Sequence, residues 1–321
     1  MQHRRDTAGA GRGAATGAGP RRARAPRWVL VGAFAALLGG CQRAGILDPQ
    51  GPIAAAERLL MINSTEIMLV VVVPVILATL LFAWWYRASN TRASHNPDWA
   101  YQGGVEFVVW AIPALVVILV GGVCWISSHQ LDPRMPIKSS AKALPVNVVS
   151  MDWKWLFIYP EQGIATVNQL VMPVGTPVRF QLTSATVMNS FFVPQLGSQI
   201  YTMAGMTTHL NLLADKPGNF PGLSTNFSGD GFSDMRFVVN AVSPAEFDAW
   251  VAKARSAGGA LDDPGYAELL KPTKAVPPAT YRSVDPKLFD RIVDQTAPLP
   301  PARTGDASGT SSTPSTARTG G

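Results

Sequence analysis

Two long apolar stretches without charge constrain this chain more than any other feature. Ile67 to Tyr86 and Phe107 to Ile126 each run for 20 residues without Asp, Glu, Lys or Arg. An α-helix needs about 20 apolar residues to cross the hydrocarbon core of a bilayer. Each stretch holds a central proline, Pro74 or Pro113, which neighbouring helices in a membrane can accommodate. We therefore expect a two-helix transmembrane hairpin over 66–127, rather than two buried helices of a soluble protein.

The connection between the two stretches indicates their orientation. The loop 87–104 contains Arg87 and Arg92 against one acid, Asp98. Short loops rich in arginine and lysine stay on the cytoplasmic side of the membrane. Both ends of the mature chain should then lie on the opposite side.

The first 40 residues have the composition of an export signal. Residues 1–27 contain seven arginines and one aspartate, which account for the formal charge of +6, so the charge does not indicate a nucleic-acid partner. The apolar run Trp28 to Leu38 is too short to span a bilayer. Leu38-Gly39-Gly40-Cys41 resembles the bacterial lipoprotein signal, which implies lipidation of Cys41 and removal of 1–40. An uncleaved anchor with an incidental cysteine is the alternative.

Beyond the hairpin the pattern changes to short β-type runs separated by proline and glycine. Their spacing favours a β-sandwich or barrel with Greek-key connections over 130–242, following an exported segment 41–65 and the hairpin. Seven strands are predicted, at Pro145–Ser150, Trp153–Tyr159, Gln169–Met172, Pro177–Thr183, Phe191–Val193, Thr207–Ala214 and Met235–Val239.

A small aromatic-rich helical segment is predicted over 243–296. Ser243-Pro244-Ala245-Glu246 has the cap residue, the proline and the glutamate that begin a helix, here through about Ser256. A second helix is predicted after Asp285-Pro286. Residues 297–321 are rich in Pro, Ser, Thr and Gly, a composition typical of a disordered tail.

The segment 222–235, GLSTNFSGDGFSDM, has the spacing of a metal-binding loop without its ligands. With the two spans and the segment TVMNSF, it resembles subunit II of the haem-copper respiratory oxidases. In members that accept electrons from cytochrome c, the family pattern is a histidine followed by C-x-E-x-C-G-x-x-H-x-x-M, which holds a dinuclear copper centre. The resemblance implies a cupredoxin-like fold for the β domain.

Placed on that pattern, five of the six copper positions have changed. Asn189 and Phe232 stand at the histidines, Ser224 and Ser228 at the cysteines, and Asn226 at the glutamate, so that only Met235 is retained. Hydroxyl groups cannot supply bridging thiolates, and a lone thioether is a weak ligand. The only other cysteine, Cys124, lies in the second span. We therefore expect no catalytic residue, metal or cofactor in this chain.

The lost ligands are also a mark of the quinol-oxidising, bo-type branch of the family, which MDWKWLFIYPEQGIATVN (151–168) and MNSFFVPQLGSQIYTMAGM (188–206) resemble closely. The resemblance implies a structural subunit of a proton-translocating ubiquinol oxidase in the bacterial inner membrane. Haems, copper and the quinol site would belong to subunit I. Expected partners are subunit I, the other subunits, ubiquinol and membrane lipids, and neither cytochrome c nor nucleic acid. A copper-carrying acceptor of the cytochrome c branch and a lipoprotein assembly module are the alternatives.

Glu106 is the strongest candidate for a functional side chain in the sequence. It matches the family position at the mouth of a proton path into subunit I, and a carboxylate at a helix N-terminus and membrane boundary can gather protons. An acid that only complements the helix dipole is the alternative. Four aromatic residues are expected to pack in the core on one side of a strand: Trp153, Trp155, Phe157 and Tyr159. His129 and His209 lack a partner at ligand spacing and are expected to be ordinary surface histidines.

Overall fold

The computed structural model describes residues 45–94 and 96–298. Cys41, the leader and nearly all of the predicted tail lie outside this part of the chain. Two long helices come first, α1 (Pro52–Trp85) and α2 (Gly103–Gln130), each long and apolar enough to cross a membrane. Their most apolar windows bury nothing inside the protein, so this surface is left for lipid or other subunits.

Helix α1 is much longer than the predicted span. It begins at Pro52, whereas the charge-free run starts at Ile67. The extra turns carry Glu57, Arg58 and Glu66, which hydropathy alone excludes from a membrane helix but which a helix in water tolerates. The extension packs on the β domain, where Ala54 is fully buried and donates its backbone N–H to Leu196 O at 3.3 Å.

Two sheets form the β domain. Their strands are β1 (Leu144–Met151), β2 (Lys154–Tyr159), β3 (Ile164–Val167), β4 (Gln169–Pro173), β5 (Val178–Ser184), β6 (Asn189–Val193), β7 (Gly197–Thr202), β8 (Thr208–Leu212), β9 (Gly218–Ser224), β10 (Arg236–Val242) and β12 (Ala279–Tyr281). The first sheet has the strand order β12-β3-β2-β1-β5-β8 and the second β4-β10-β9-β6-β7. Strands β1 and β5 pair in parallel, as do β4 and β10.

A strand lies at each of the seven predicted places. Within the described residues, the sequence patterns missed six further strands: β3, β7, β9 and β12 of the two sheets, and the short strands Ala260–Leu261 and Ser283–Val284. Strand β3 has only four residues. Strand β7 has a half-exposed pattern without clear alternation, and β9 contains Pro221 and two glycines. Both pair with β6, which places them in the second sheet despite weak local propensity.

Aromatic side chains fill the space between the sheets. The rings of Phe191 and Phe237 stack at a centroid distance of 4.9 Å, and Trp155 meets both of them edge-on. Trp155, Phe157 and Tyr159 are all fully buried, as predicted for that side of the strand. Such aromatic contacts add about 0.5–1.5 kcal/mol per pair to the free energy gained by burying the rings.

Trp153 does not share that strand face, and this part of the prediction is wrong. Met151 pairs with Lys154, so that Asp152 and Trp153 form a two-residue turn between β1 and β2. Trp153 has a positive φ of 63°, a backbone conformation of tight hairpin turns rather than of strands. Its side chain therefore leaves the aromatic row of the strand, but it still packs, partly buried, against the main core cluster, as predicted.

The C-terminal segment covers the outer face of the first sheet. It contains α3 (Pro244–Ser256), α4 (Asp263–Leu269) and α5 (Leu288–Val293), with the short strands β11 (Ala260–Leu261) and β13 (Ser283–Val284) paired in parallel. Helix α3 begins at the predicted capping box of Ser243 and Glu246. Helix α4 was not predicted. A second buried cluster joins this segment to the sheet, with Leu156, Ile158, Tyr266, Leu288 and Phe289 among its members.

Lys154 ties the segment to the sheet from inside this contact. Its side chain is 1% exposed, and its ammonium group donates to the carbonyl oxygens of Leu269 and Lys271 at 2.8 and 2.7 Å. Burial lowers the pKa of Lys154 to about 8, although the charges of Asp152 and Glu268 act in the opposite direction. The lysine thus satisfies the carbonyl groups that end α4.

Candidate functional site

The segment 222–235 connects two neighbouring strands of the second sheet. Strand β9 ends at Ser224 and β10 begins at Arg236, with a single 3-10 turn, Phe232–Asp234, just before it. Ser224 N donates to Met235 O at 3.1 Å, which closes the base of the loop. The two strands therefore fix both ends of the connection.

Four of the six positions that the sequence places on the copper pattern lie together at the base of this loop. The hydroxyl of Ser224 donates to Asn189 Oδ1 at 3.3 Å, and the hydroxyl of Ser228 points to Met235 Sδ at 4.0 Å. All four side chains are buried, with exposed fractions between 0 and 8%. The alignment of β6 with the loop, inferred from sequence, thus corresponds to a real cluster in the fold.

Asn226 and Phe232 lie at the rim of this cluster. The Asn226 amide donates to Met188 O at 3.0 Å. The Phe232 ring meets Phe227 edge-on at 5.6 Å, and Phe227 itself is exposed. Neither side chain joins the buried polar group, and both hold the loop in place through other contacts.

The residues present do not fit a dinuclear copper centre. The cluster of Asn189, Ser224, Ser228 and Met235 offers an amide, two hydroxyl groups and a thioether, whereas copper electron-transfer sites use thiolate and imidazole. Over 45–94 and 96–298, no group of three or more His, Cys, Asp or Glu side chains could hold a metal ion.

The indole of Trp153 fills the space beside the loop. Its Nε1 donates to Ser228 O at 3.2 Å, and the ammonium group of Lys274 lies 5.6 Å from the ring centroid. A Cβ at Gly231 would overlap the indole ring, and Gly229 has a φ of 106° that favours glycine. Sequence reasoning missed Lys274 and Gly231, because only the folded chain brings them next to Trp153.

Glu106 lies in the first turn of α2, at the start of the second span as predicted. Its side chain is exposed, and the cap residue Gln102 makes no side-chain hydrogen bond to the helix end. A carboxylate at this end of a helix is favoured by the helix dipole. Of the histidines, His129 packs on Trp125 at 4.6 Å between ring centroids, and His209 is half-buried on β8.

Two family models match the exported part of the chain. The model described as "Cytochrome C oxidase subunit II, periplasmic domain" matches residues 144–242. The model described as "COX Aromatic Rich Motif" matches residues 255–297. The first match contains the loop, the second sheet and all of the first sheet except β12, and the second contains β12, α4, α5 and Lys274.

Curated relatives extend the similarity to the spans. The chain is 51% identical over 267 residues to "Cytochrome bo(3) ubiquinol oxidase subunit 2" of Pseudomonas aeruginosa, covering 83% of this chain and 80% of the relative. It is 50% identical over 261 residues to "Ubiquinol oxidase subunit 2" of Acetobacter aceti, covering 81% and 84%. A crystal structure of the periplasmic domain of subunit II of cytochrome oxidase from Bradyrhizobium japonicum is 25% identical, covers 38% of this chain and 98% of that one, and gives a TM-score of 0.36. The extent and identity of the curated matches show that this chain belongs to the family of ubiquinol oxidase subunit 2, within the haem-copper oxidases.

Proposed function

We propose that this chain is the non-redox structural subunit of a proton-translocating ubiquinol oxidase that passes electrons from ubiquinol to O2. The buried cluster of Asn189, Ser224, Ser228 and Met235 carries this proposal. Neutral donors have replaced the redox ligands there, while the loop retains a defined, hydrogen-bonded shape. A lipid-soluble quinol can deliver electrons within the membrane and needs no copper relay facing a water-soluble cytochrome.

The chain's contribution to the complex is then mechanical, together with a candidate proton-entry carboxylate, Glu106, at the start of α2. Helices α1 and α2 expose apolar side chains along their charge-free runs, which suits contact with lipid and with the helices of subunit I. The haems, the remaining copper and the quinol site belong to subunit I in this proposal. The β domain covers that subunit on the periplasmic side of the bacterial inner membrane.

In this proposal a lipid anchor attaches the chain to the membrane in addition to the two helices. Residues 1–40 are a lipoprotein signal peptide, and Cys41, which lies outside the described residues, is the lipidated N-terminus of the mature chain. The segment 41–65 then leads into the hairpin 66–127, followed by the cupredoxin-like domain 130–242, the helical segment 243–296 and the tail. Because two spanning helices anchor a chain far more firmly than one acyl group, lipidation is not needed for attachment.

Steady-state oxygen consumption by the purified complex tests the function. The complex should consume oxygen with a reduced ubiquinone analogue and fail to do so with reduced cytochrome c as the sole donor. A copper-containing oxidase of the cytochrome c branch, assayed in parallel, provides the opposite preference. Oxidation of cytochrome c by this complex would contradict the proposal, and isolation of the chain without a haem-containing multispan partner would favour an assembly lipoprotein.

A further inference from the structure

A patch of polar side chains lies on the outer face of the first sheet, at its β8 edge. Arg179 and Gln181 project from β5, opposite Asn211 and His209 of β8. Because alternate residues of a strand share a face, these four side chains form a compact square. The intervening residues of both strands are buried in the core: Val178, Phe180, Leu182, Leu210 and Leu212.

The chain leaving the second span forms one wall of an open cavity over this patch. Helix α2 ends at Gln130, and the carbonyl oxygen of Pro133 accepts hydrogen bonds from the backbone N–H and the side-chain amide of Asn211 at 3.0 and 3.1 Å. These two hydrogen bonds fix the linker to β8. Arg134 then lines a cavity of about 290 Å³ together with Arg179, Gln181, His209 and Asn211.

The cavity is positively charged. Two guanidinium groups line it and no carboxylate does. Among the ion pairs between residues of 45–94 and 96–298, none involves Arg134 or Arg179. The adjacent acid in the linker, Asp132, accepts the backbone N–H of Arg134 at 2.9 Å. Guanidinium groups bind phosphate oxygens through paired N–H donors, so a phosphate group matches this lining.

The position of the cavity relative to the membrane indicates the source of the phosphate. Helix α2 has 28 residues, which corresponds to about 42 Å and equals the thickness of a bilayer including its headgroups. With the helix start on the cytoplasmic side, Gln130 lies at the outer headgroup layer. Arg134 follows four residues later, within about 14 Å, and a long arginine side chain can reach back to the interface.

We propose that this cavity binds the phosphate group of an anionic phospholipid headgroup from the outer leaflet. Arg134 and Arg179 clamp the phosphate, and Gln181 and His209 donate hydrogen bonds to its remaining oxygens. A volume near the lower limit of about 300 Å³ for small-molecule pockets admits a headgroup and leaves the acyl chains in the bilayer. This inference rests on the membrane orientation given under the proposed function.

Lipid binding by the intact complex tests the site. The complex is delipidated in neutral detergent, titrated with phosphatidylglycerol and examined by native mass spectrometry for bound lipid. Arg179→Gln should weaken the phosphatidylglycerol adduct about fivefold, and Arg134→Gln with Arg179→Gln roughly 25-fold, since each arginine contributes about 1 kcal/mol to anionic lipid binding. Arg282→Gln, an exposed arginine in the C-terminal segment, should leave the adduct unchanged, and phosphatidylcholine should bind equally weakly to all variants.

Inorganic phosphate, added at millimolar concentration, distinguishes the two sources of the anion. Retention of the phosphatidylglycerol adduct in its presence supports a lipid site, whereas complete displacement would assign the cavity to a free anion and overturn the proposal. Equal lipid binding by wild type and Arg179→Gln, or cross-linking of position 179 to an acidic segment of another subunit, would also overturn it. Quinol oxidation by the same variants should be retained, which separates failure of this site from failure of the proposed function.

Discussion

The indole N–H of Trp153 donates a hydrogen bond to the carbonyl oxygen of Ser228, at 3.2 Å and across 75 positions of sequence. This bond joins the turn between β1 and β2 to the loop 225–235. The loop is therefore stabilised by packing against an aromatic ring and by its own hydrogen bonds, and it needs no ion to retain its shape.

Trp153→Phe should loosen that loop without unfolding the domain. Loss of one hydrogen bond costs about 1 kcal/mol, so amide hydrogen exchange in residues 225–235 should accelerate about fivefold. Exchange measured by mass spectrometry on the purified complex checks this. Trp250→Phe, which alters an aromatic contact with Tyr159 elsewhere in the core, serves as the control and should leave exchange in the loop unchanged.

Restoring the lost donors should create a copper site on the same backbone. The combined variant should bind two copper ions per chain and turn purple, because bridging thiolates and imidazoles would meet Met235 at one place. Metal analysis and the absorption spectrum check the result. The changes are Asn189→His, Ser224→Cys, Asn226→Glu, Ser228→Cys and Phe232→His.

A four-change version that keeps Ser224 controls for non-specific binding of copper. One bridging thiolate cannot complete the dinuclear centre, so this version should lack the purple chromophore. If the full variant folds but also remains colourless, the loop does not place these positions as the buried cluster indicates.

Lys154 should make the stability of the contact between the first sheet and the helical segment depend on pH. Its pKa is lowered to about 8 by burial, whereas the unfolded chain keeps a pKa of about 10.4. Between these values the unfolded state binds more protons, so the free energy of unfolding rises with pH, by at most about 1.4 kcal/mol per pH unit.

Pulse proteolysis of the complex in urea, at about pH 8.5 and about pH 9.5, both within that window, measures this dependence as protection of the segment 255–297. Lys154→Met should lose the dependence, and it should also be less stable because two buried carbonyl groups lose their donor. Lys216→Met, an exposed lysine, should behave as wild type. A pH dependence that persists in Lys154→Met would assign it to another group.

Glu106→Ala should slow quinol oxidation while the complex still assembles. An exposed carboxylate at the start of α2 can supply protons from the cytoplasmic side, and its loss should reduce turnover roughly two- to tenfold, which is at most about 1.4 kcal/mol in the barrier. Oxygen consumption and the haem content of the purified complex report activity and assembly. Asp98→Ala, in the loop before α2, is the matched control and should oxidise quinol as the wild type does. Equal activity of Glu106→Ala, Asp98→Ala and wild type would contradict a role of Glu106 in the proton path.

The membrane spans and most strands were predictable because exclusion of charge and short β-type runs leave a direct mark in sequence. The missed elements lack such a mark. The first 15 residues of α1 carry charges because they lie beyond the apolar run, and β9 pairs with β6 and β10 despite containing Pro221. Helix α4 begins at Asp262-Asp263-Pro264, which alone resembles a turn; Asp262 caps the helix by accepting Gly265 N at 3.0 Å.

The site was predictable as a set of positions and not as a set of contacts. Family spacing identifies Asn189 and the loop residues, and the fold places Asn189, Ser224, Ser228 and Met235 together. The family spacing does not show that Phe232 and Asn226 lie at the rim of the cluster. Rim residues and central residues follow each other within a few positions of the loop. Trp153 was assigned to a strand from its alternation with Trp155, whereas the two-residue turn reverses the chain there.

Helix α1 is continuous from above the bilayer to its far side, and its first turns are fixed to the β domain through Ala54 and through the hydrogen bond from Ser198 to Glu57. With 15 residues above the apolar run, this rigid extension reaches about 22 Å. The extension contains no proline after Pro52, and the interior proline of α1, Pro74, lies below it in the apolar run. A change of about three degrees in the tilt of the extension would therefore move its attached end by about 1 Å, so that helix tilt and domain position change together.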